Sequence, residues 1–100
     1  MMAELEREKG HYVYIVRCAN DTLYTGYDRD VEQRVKVHNA GRGGRYTRSH
    51  LPVMLLVAWS FTSKREALQV EYKIKQLSRK QKLWLIESKI SFHDLLAVLG

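Results

Sequence analysis

The chain has 100 residues, of which 45% are hydrophobic, so it is long enough for one domain with one modest core. Its single cysteine excludes an intrachain disulfide and a cysteine-rich zinc site, and no run of about 18 apolar residues is present that would span a membrane. Residues 1–10 carry mixed charge without the apolar stretch of a secretory signal, so we expect a flexible leader on a cytoplasmic protein without membrane association.

Positive charge is concentrated in the middle of the chain. Lys and Arg number 17 and Asp and Glu number 11, which gives a net charge of +6. No acidic residue lies between Glu32 and Glu66, while Arg and Lys recur throughout that interval. A segment of one sign attracts polyanions such as nucleic acids. The alternative is a solvated basic surface that serves solubility, and composition alone does not separate the two.

The first predicted elements are two strands that form a hairpin. Residues 12–18 and 23–27 are rich in β-branched and aromatic side chains, and the Asn-Asp pair between them favours a turn. Side chains alternate along a strand, so Tyr14 and Tyr24 share a face only if the hairpin loop has an odd number of residues. Asn-Asp is not the strongest two-residue turn signal, which leaves an odd loop open.

A helix follows, capped by Asp28 or Asp30 and ending near Gly41. Residues 41–45 contain too much glycine for regular structure, so we expect a mobile basic loop. The third strand, residues 53–59, is almost continuously apolar, and this pattern predicts a strand that is buried on both faces and therefore central or covered.

Three helices are predicted in the C-terminal half, over about 64–76, 79–88 and 92–99. Each begins at a serine that is followed three residues later by Glu, Gln or Asp, the spacing of a capping box. The predicted fold is α/β (α+β): a small three-stranded antiparallel sheet flanked by helices, in the order β-β-α-β-α-α with a short C-terminal helix. We place the domain at residues 11–88, between the leader and a helical tail at 89–100.

Glu71 breaks the pattern of its helix, because it falls inside an apolar stripe that includes Val70 and Ile74. A carboxylate there is costly unless it is paired or binds a cation. The structural alternative is that Glu71 lies at the edge of the stripe and pairs with Lys75 one turn further on.

Two other features allow a functional and an ordinary interpretation. Arg34 and His38 share a helix face beside the acid-free segment, which suits either a phosphate contact or a plain surface. The hairpin is rich in tyrosine, which is normal for strands, but Gly26 inside a strand often marks a close approach of backbone or ligand.

Taken together, these residues resemble the GIY-YIG nuclease superfamily, in particular its small stand-alone bacterial members of the YhbQ/YazA type. The resemblance covers about residues 11–87. Tyr12 replaces the family's first Gly, Thr25 replaces its second Ile, and the late Asn of homing-type relatives is missing. The matching positions, in chain order, are Tyr14 in Tyr12-Val13-Tyr14, Tyr24 and Gly26 in Tyr24-Thr25-Gly26, Arg34, His38, and Glu71 in Ala67-Leu68-Gln69-Val70-Glu71.

The resemblance implies a divalent-metal-dependent endonuclease that hydrolyses phosphodiester bonds in DNA, structure-directed with low sequence specificity, in repair or recombination. Glu71 would hold one Mg²⁺ or Mn²⁺, and Arg34 would brace the scissile phosphate. Tyr24 would be the general base with Tyr14 alongside, and His38 would relay a proton or contact phosphate. A free phenol has a pKa of about 10, so a tyrosine base needs its pKa lowered by a cation.

Binding is expected from the basic loop and the lead-in to the third strand, where Arg and Tyr offer phosphate contacts and base stacking: Arg42, Arg45, Tyr46 and Arg48. We expect a monomer that acts on DNA, with RNA as an alternative, and that uses no small-molecule cofactor. Two other interpretations remain open: a non-catalytic or weakly catalytic nucleic-acid-binding module of the same fold, and a protein–protein adaptor.

Overall fold

The protein is described by a computed structural model that covers residues 10–100, apart from the side chain of Phe92. The predicted leader, except for Gly10, lies outside the described residues. In chain order the elements are β1 (His11–Arg17), β2 (Leu23–Asp28), α1 (Val31–Asn39), α2 (Arg45–Arg48), β3 (Met54–Phe61), α3 (Lys64–Lys75), α4 (Arg79–Glu87) and α5 (Phe92–Leu99). This is the predicted order with one short helix, α2, added.

The three strands form an antiparallel sheet in the order β2-β1-β3, so β1 is the central strand. Arg17 pairs with Leu23, which leaves residues 18–22 as an odd-numbered loop. Gly26 pairs with Tyr14, and Tyr24 lies two residues before Gly26, so both tyrosines project from the same face of the sheet. The hairpin therefore meets the condition that the sequence set for bringing the two phenols together.

The expectation that β3 is buried on both faces, and is therefore central or covered, is wrong. β3 pairs only with β1 among the described strands, and its first residues are open, with Met54 56% and Leu55 38% exposed. Only its later residues are deeply buried, at Trp59 and Phe61. An apolar run indicates that a strand is hydrophobic, but it does not indicate which other elements will pack against it. In this fold the described helices leave the start of this edge strand uncovered.

Each face of the sheet has its own core, because alternate residues of β1 point in opposite directions. Val13 and Ile15 belong to the larger cluster, which includes buried residues of α3, α4 and α5. Tyr14 and Val16 belong to the smaller cluster on the α1 side, with Val31. Tyr14 and Tyr24 therefore lie on the face that α1 covers.

Local signals placed the helix starts correctly. Asp30 caps α1 by accepting a hydrogen bond from the backbone N–H of Gln33 at 3.1 Å. Three serines cap the later helices in the same way, each with its side-chain oxygen on the N–H three residues ahead: Ser63, Ser78 and Ser91. These hydroxyls satisfy N–H groups that have no partner within the helix.

The basic segment after α1 is more ordered than predicted, because α2 begins at Arg45 inside the expected loop. Asn39, at the end of α1, bonds both backbone groups of Val53, accepting from its N–H at 2.7 Å and donating to its carbonyl at 3.2 Å. The segment is thus held at both ends, and it runs across the α1 side of the sheet.

The C-terminal helix packs on the larger core. Leu95 is fully buried there, and the indole N–H of Trp59 donates to the carbonyl of Ile90 at 3.0 Å just before α5. Within residues 10–100, none of the helices has the length and apolar character that crossing a lipid bilayer requires.

Candidate active site

Tyr14 is the centre of a polar cluster buried between the sheet and α1. It is only 1% exposed, and its ring lies over Gly26 on the neighbouring strand. A Cβ at residue 26 would overlap the Tyr14 hydroxyl. The glycine is required here by space, which is the close approach that its position inside a strand suggested.

His38 is the second member of the cluster and is fully buried on the inner side of α1. Its Nε2 lies 3.2 Å from the hydroxyl of Tyr14, and its ring meets the ring of Tyr24 edge-on with 5.7 Å between centroids. Tyr24 is half-buried, so it is the phenol of this group that solvent reaches. His38 is not a surface residue, and its burial disfavours direct contact with phosphate.

Thr47 completes the contacts of the His38 ring, a role that sequence reasoning missed. Its Oγ1 lies 2.8 Å from Nδ1 of His38, and its hydroxyl donates to the carbonyl of Gly44 at 3.4 Å. A Cβ at Gly43 would overlap the His38 ring, so this glycine lets the segment approach. A threonine in a basic, glycine-rich stretch has no distinctive pattern, and only the packing of α2 against α1 reveals its role.

Arg34 lies at the open side of the cluster. Its Nη2 donates to the carbonyl of Gly43 at 2.9 Å, and its Nε lies 3.8 Å from Oδ2 of Asp28. Both side chains are 34% exposed, so this ion pair is partly screened by water. The guanidinium is held by a backbone carbonyl while it stays accessible to an incoming anion.

The cluster fixes the protonation of its buried members. Burial raises the pKa of Tyr14 to about 12, the nearby Tyr24 phenol adds to the rise, and the Arg34 guanidinium opposes it by hydrogen bonding and charge. Burial, and then the positive charge of Arg34, lower the pKa of His38 below its usual value, against the opposing charge of Asp28. At neutral pH Tyr14 is therefore a protonated phenol and His38 a neutral imidazole. The lowering that a phenolate base requires is not found at Tyr14.

Glu71 is on α3, which contacts β1 and β2, and its helix neighbours Val70 and Ile74 are buried as predicted. Its carboxylate forms an ion pair with Lys75 at 3.2 Å and is 17% exposed. The pairing that the sequence offered as the structural alternative is thus present.

The structure brings Tyr14, Tyr24, Arg34 and His38 together but does not join Glu71 to them by any described contact. The charges that act on Tyr14 and His38 come from within the cluster and from Asp28, not from Glu71.

Among the predicted site residues, Glu71 is the one carboxylate that could bind a divalent cation. Among residues 10–100, no group of three or more His, Cys, Asp or Glu side chains is placed to hold a metal ion. The Glu71 carboxylate is partly accessible, and its partner Lys75 is 51% exposed on a long side chain that can move aside. Mg²⁺ commonly keeps several waters and uses one or two carboxylates. The residues therefore fit a single-carboxylate site and not an all-protein cage.

The predicted binding residues cluster at α2. Arg42, Arg45 and Arg48 are exposed, while Thr47 of the same short helix points inward to His38. Tyr46 is 43% exposed, but its hydroxyl lies 2.6 Å from Oγ1 of Thr22 and its ring stacks on His50 at 4.5 Å between centroids. The basic side chains are thus available to an anion, while Tyr46 is partly occupied by contacts of its own.

Comparisons with known proteins show the family to which the chain belongs. A family model described as the GIY-YIG catalytic domain matches residues 10–83. UPF0213 protein SH2523 of Staphylococcus haemolyticus is 52% identical over 79 residues, covering 79% of this chain and 96% of that protein. UPF0213 protein YazA of Bacillus subtilis is 48% identical over 79 residues, covering 79% of this chain and 80% of that protein.

A solved structure agrees as well. The solution NMR structure of UPF0213 protein BH0048 from Bacillus halodurans matches with a TM-score of 0.55 and 42% identity, covering 87% of this chain and 93% of that one. The resemblance and the fold class are confirmed. The six residues that carry the resemblance all lie within the matched range: Tyr14, Tyr24, Gly26, Arg34, His38 and Glu71.

Proposed function

The chain belongs to the GIY-YIG family, and from this membership we propose that it is a divalent-metal-dependent endonuclease that hydrolyses phosphodiester bonds in DNA. The observation that carries the proposal is the buried contact between Tyr14 and His38, with Tyr24 and Arg34 at its open side. A buried phenol–imidazole pair beside an accessible guanidinium places hydrogen-bonding groups and a positive charge together, which suits a site that binds and cleaves a phosphate ester.

Arg34 is proposed to brace the scissile phosphate. Its planar guanidinium presents several donors in a fixed arrangement that matches phosphate oxygens, and the Gly43 carbonyl holds one of its nitrogens in place. Its positive charge also compensates the negative charge that develops on the phosphate in the transition state.

Tyr24 is proposed as the general base toward the attacking water, because it is the accessible phenol of the cluster. Acting as a base requires the phenolate form, which nearby positive charge stabilises. Tyr14 has a different role, since its pKa of about 12 keeps it protonated. Its hydroxyl lies 3.2 Å from Nε2 of His38 and its pKa is influenced by Arg34, so it links the phosphate-facing guanidinium to the buried imidazole.

Glu71 is proposed to hold one Mg²⁺ or Mn²⁺. When bound, such a cation neutralises charge on phosphate oxygens and assists the leaving oxygen. Binding it requires Glu71 to exchange its ion pair with Lys75 for the cation. Lys75 is 51% exposed on a long side chain, so its ammonium can move into solvent when the cation takes its place.

The substrate is held by the exposed arginines around α2: Arg42, Arg45 and Arg48. Phosphate contacts of this kind fix position without reading sequence. We therefore propose structure-directed binding with low sequence specificity and strong dependence on salt, consistent with a role in DNA repair or recombination.

The test is cleavage of branched, nicked and single-stranded DNA by the purified chain with Mg²⁺ or Mn²⁺. We expect metal-dependent cutting that falls by about 10²- to 10⁴-fold in Tyr24→Phe, and an equally clear loss in Glu71→Gln. Matched controls are Tyr27→Phe, whose hydroxyl bonds His11, and Glu66→Gln in the first turn of α3.

The proposal that the chain is an endonuclease would be rejected if the wild-type protein does not cut DNA, or if it cuts DNA no faster than Glu71→Gln does. Salt-sensitive DNA binding without cutting would favour the alternative, a nucleic-acid-binding module of this fold. The same assay with RNA in place of DNA tests whether RNA is the substrate.

A further inference from the structure

We infer that Thr47 is a positioning residue that sets the tautomer of His38, so that Nε2, the nitrogen facing Tyr14, carries no proton. The inference about the imidazole stands on the contacts of Thr47 and His38. Its consequence for cleavage rests on the proposed function, because it assigns to Thr47 the orientation of a group in that same site.

The buried imidazole has a polar neighbour at each nitrogen. Nε2 faces the Tyr14 hydroxyl at 3.2 Å and Nδ1 faces Oγ1 of Thr47 at 2.8 Å. A neutral imidazole carries its proton on one nitrogen and accepts at the other. The hydrogen of the Thr47 hydroxyl therefore decides which nitrogen is protonated, since a hydroxyl has one hydrogen to give.

The Thr47 hydroxyl has an acceptor other than His38. The carbonyl of Gly44, three residues earlier, lies 3.4 Å from Oγ1, and a carbonyl can only accept. Threonine in a helix commonly bonds back to a carbonyl of the preceding turn. When the hydroxyl hydrogen is used there, Oγ1 accepts, and the proton between Thr47 and His38 belongs to Nδ1.

The contact between His38 and Tyr14, at the other end of this chain of hydrogen bonds, supports the same tautomer. A proton on Nε2 would point at the Tyr14 oxygen as a donor and would leave the Tyr14 hydrogen without this acceptor. With Nε2 unprotonated, Tyr14 donates to His38 and every hydrogen in the chain has an acceptor. The bonds then run from Tyr14 to His38, to Thr47 and to the Gly44 carbonyl.

The fold supports this arrangement with a glycine and a short helix. Gly43 has no side chain that would push the segment off the His38 ring, and α2 then turns Thr47 inward while Arg45 and Arg48 stay exposed. One four-residue helix thus presents basic side chains to solvent and a hydroxyl to the buried imidazole.

The test compares Thr47→Val, which removes the hydroxyl at nearly constant volume, with Thr47→Ser, which keeps it. Nitrogen-15 NMR of the His38 ring should show the Nδ1-protonated tautomer in wild type and Thr47→Ser, and a loss of that preference in Thr47→Val. DNA cleavage should fall by about 10²-fold in Thr47→Val, the scale of a small misplacement of a catalytic group, and recover in Thr47→Ser.

The matched control is Thr25→Val, the same substitution at a buried threonine on the other face of the sheet. Thr25 Oγ1 has no hydrogen-bond partner among residues 10–100, so its removal should leave both the His38 tautomer and the cleavage rate unchanged.

An Nε2-protonated His38 in wild type would overturn the inference, as would an unchanged tautomer in Thr47→Val. If Thr47→Val does not fold, the spectra of wild type and Thr47→Ser still decide. The predicted tautomer in a protein that cuts no DNA would reject the proposed function and leave the assignment of Thr47 standing.

Discussion

Gly26 faces Tyr14 directly across the β1–β2 pair, and the Tyr14 hydroxyl fills the space that a side chain at residue 26 would need. The Tyr14 hydroxyl also lies within hydrogen-bond distance of His38 of α1, at 3.2 Å. Because Gly26 has no side chain, the phenol of Tyr14 has room to contact the imidazole of His38.

The first prediction concerns this space. Gly26→Ala should displace the Tyr14 ring, weaken its bond to His38 and destabilise the fold by about 1–3 kcal/mol, as overpacking of a core does. Urea unfolding measures the stability, and NMR shifts of Tyr14 and His38 report the displacement. Gly44→Ala is the control, because its Cβ would meet Thr47 Oγ1 at an ordinary 3.7 Å, and it should change the stability by less than about 1 kcal/mol.

The second prediction concerns pH. The folded-state pKa of His38 lies below the value near 6.5 that the unfolded chain has. As the pH falls below 6.5, the unfolded chain binds a proton that folded His38 does not, so the free energy of unfolding decreases. The decrease ends once the pH reaches the folded pKa.

Urea unfolding between pH 7.5 and 5 should therefore show a loss of stability of about 1.4 kcal/mol for each unit by which burial lowers the pKa of His38. The loss should shrink in His38→Gln. An NMR titration in which folded His38 has a pKa of 6.5 or higher would contradict the prediction.

The third prediction separates the two roles of Glu71. Lys75→Met removes the ion-pair partner of Glu71, so the carboxylate should bind Mn²⁺ several-fold more tightly. Lys73→Met removes the same charge two residues earlier on the same helix, where Nζ bonds the carbonyl of Gly100, and should have a smaller effect. Metal titration by calorimetry measures both. Equal affinity in the two variants would mean that Glu71 serves only its ion pair.

The fourth prediction concerns the arginines of α2. Arg45→Ala and Arg48→Ala should each weaken DNA binding and lower the slope of log affinity against log salt by about one unit per lost phosphate contact. The loss should be similar for different sequences, because these contacts position DNA without reading bases. Lys80→Ala, an exposed residue of α4, is the charge-matched control, and an equal loss there would contradict a binding site at α2.

Local signals were enough to predict much of the fold. Ser63 and Ser78 begin their helices as expected, because a cap depends on residues only three positions apart. The position of β3 was predicted wrongly, since edge or centre depends on which strands are elsewhere in the chain.

In the functional site, too, features that depend on nearby residues were predicted and features that depend on distant contacts were not. Tyr14 and Tyr24 share a face because of loop length, which the sequence could state as a condition. Thr47 was missed because its contact with His38 joins two helices through a glycine-rich segment whose path has no local signature. The relation of Glu71 to the phenols depends on how α3 lies against the sheet, which no spacing along the chain encodes.

The central claim is that Glu71 and the Tyr14–His38 cluster serve one metal-dependent site. Paramagnetic broadening by Mn²⁺ tests it most directly, with NMR signals of the Tyr24 ring and the Arg34 side chain as reporters. The account predicts that Mn²⁺ broadens both reporters in wild type and that Glu71→Gln abolishes the effect. Reporters that stay sharp in wild type, or that broaden equally in Glu71→Gln, would contradict it.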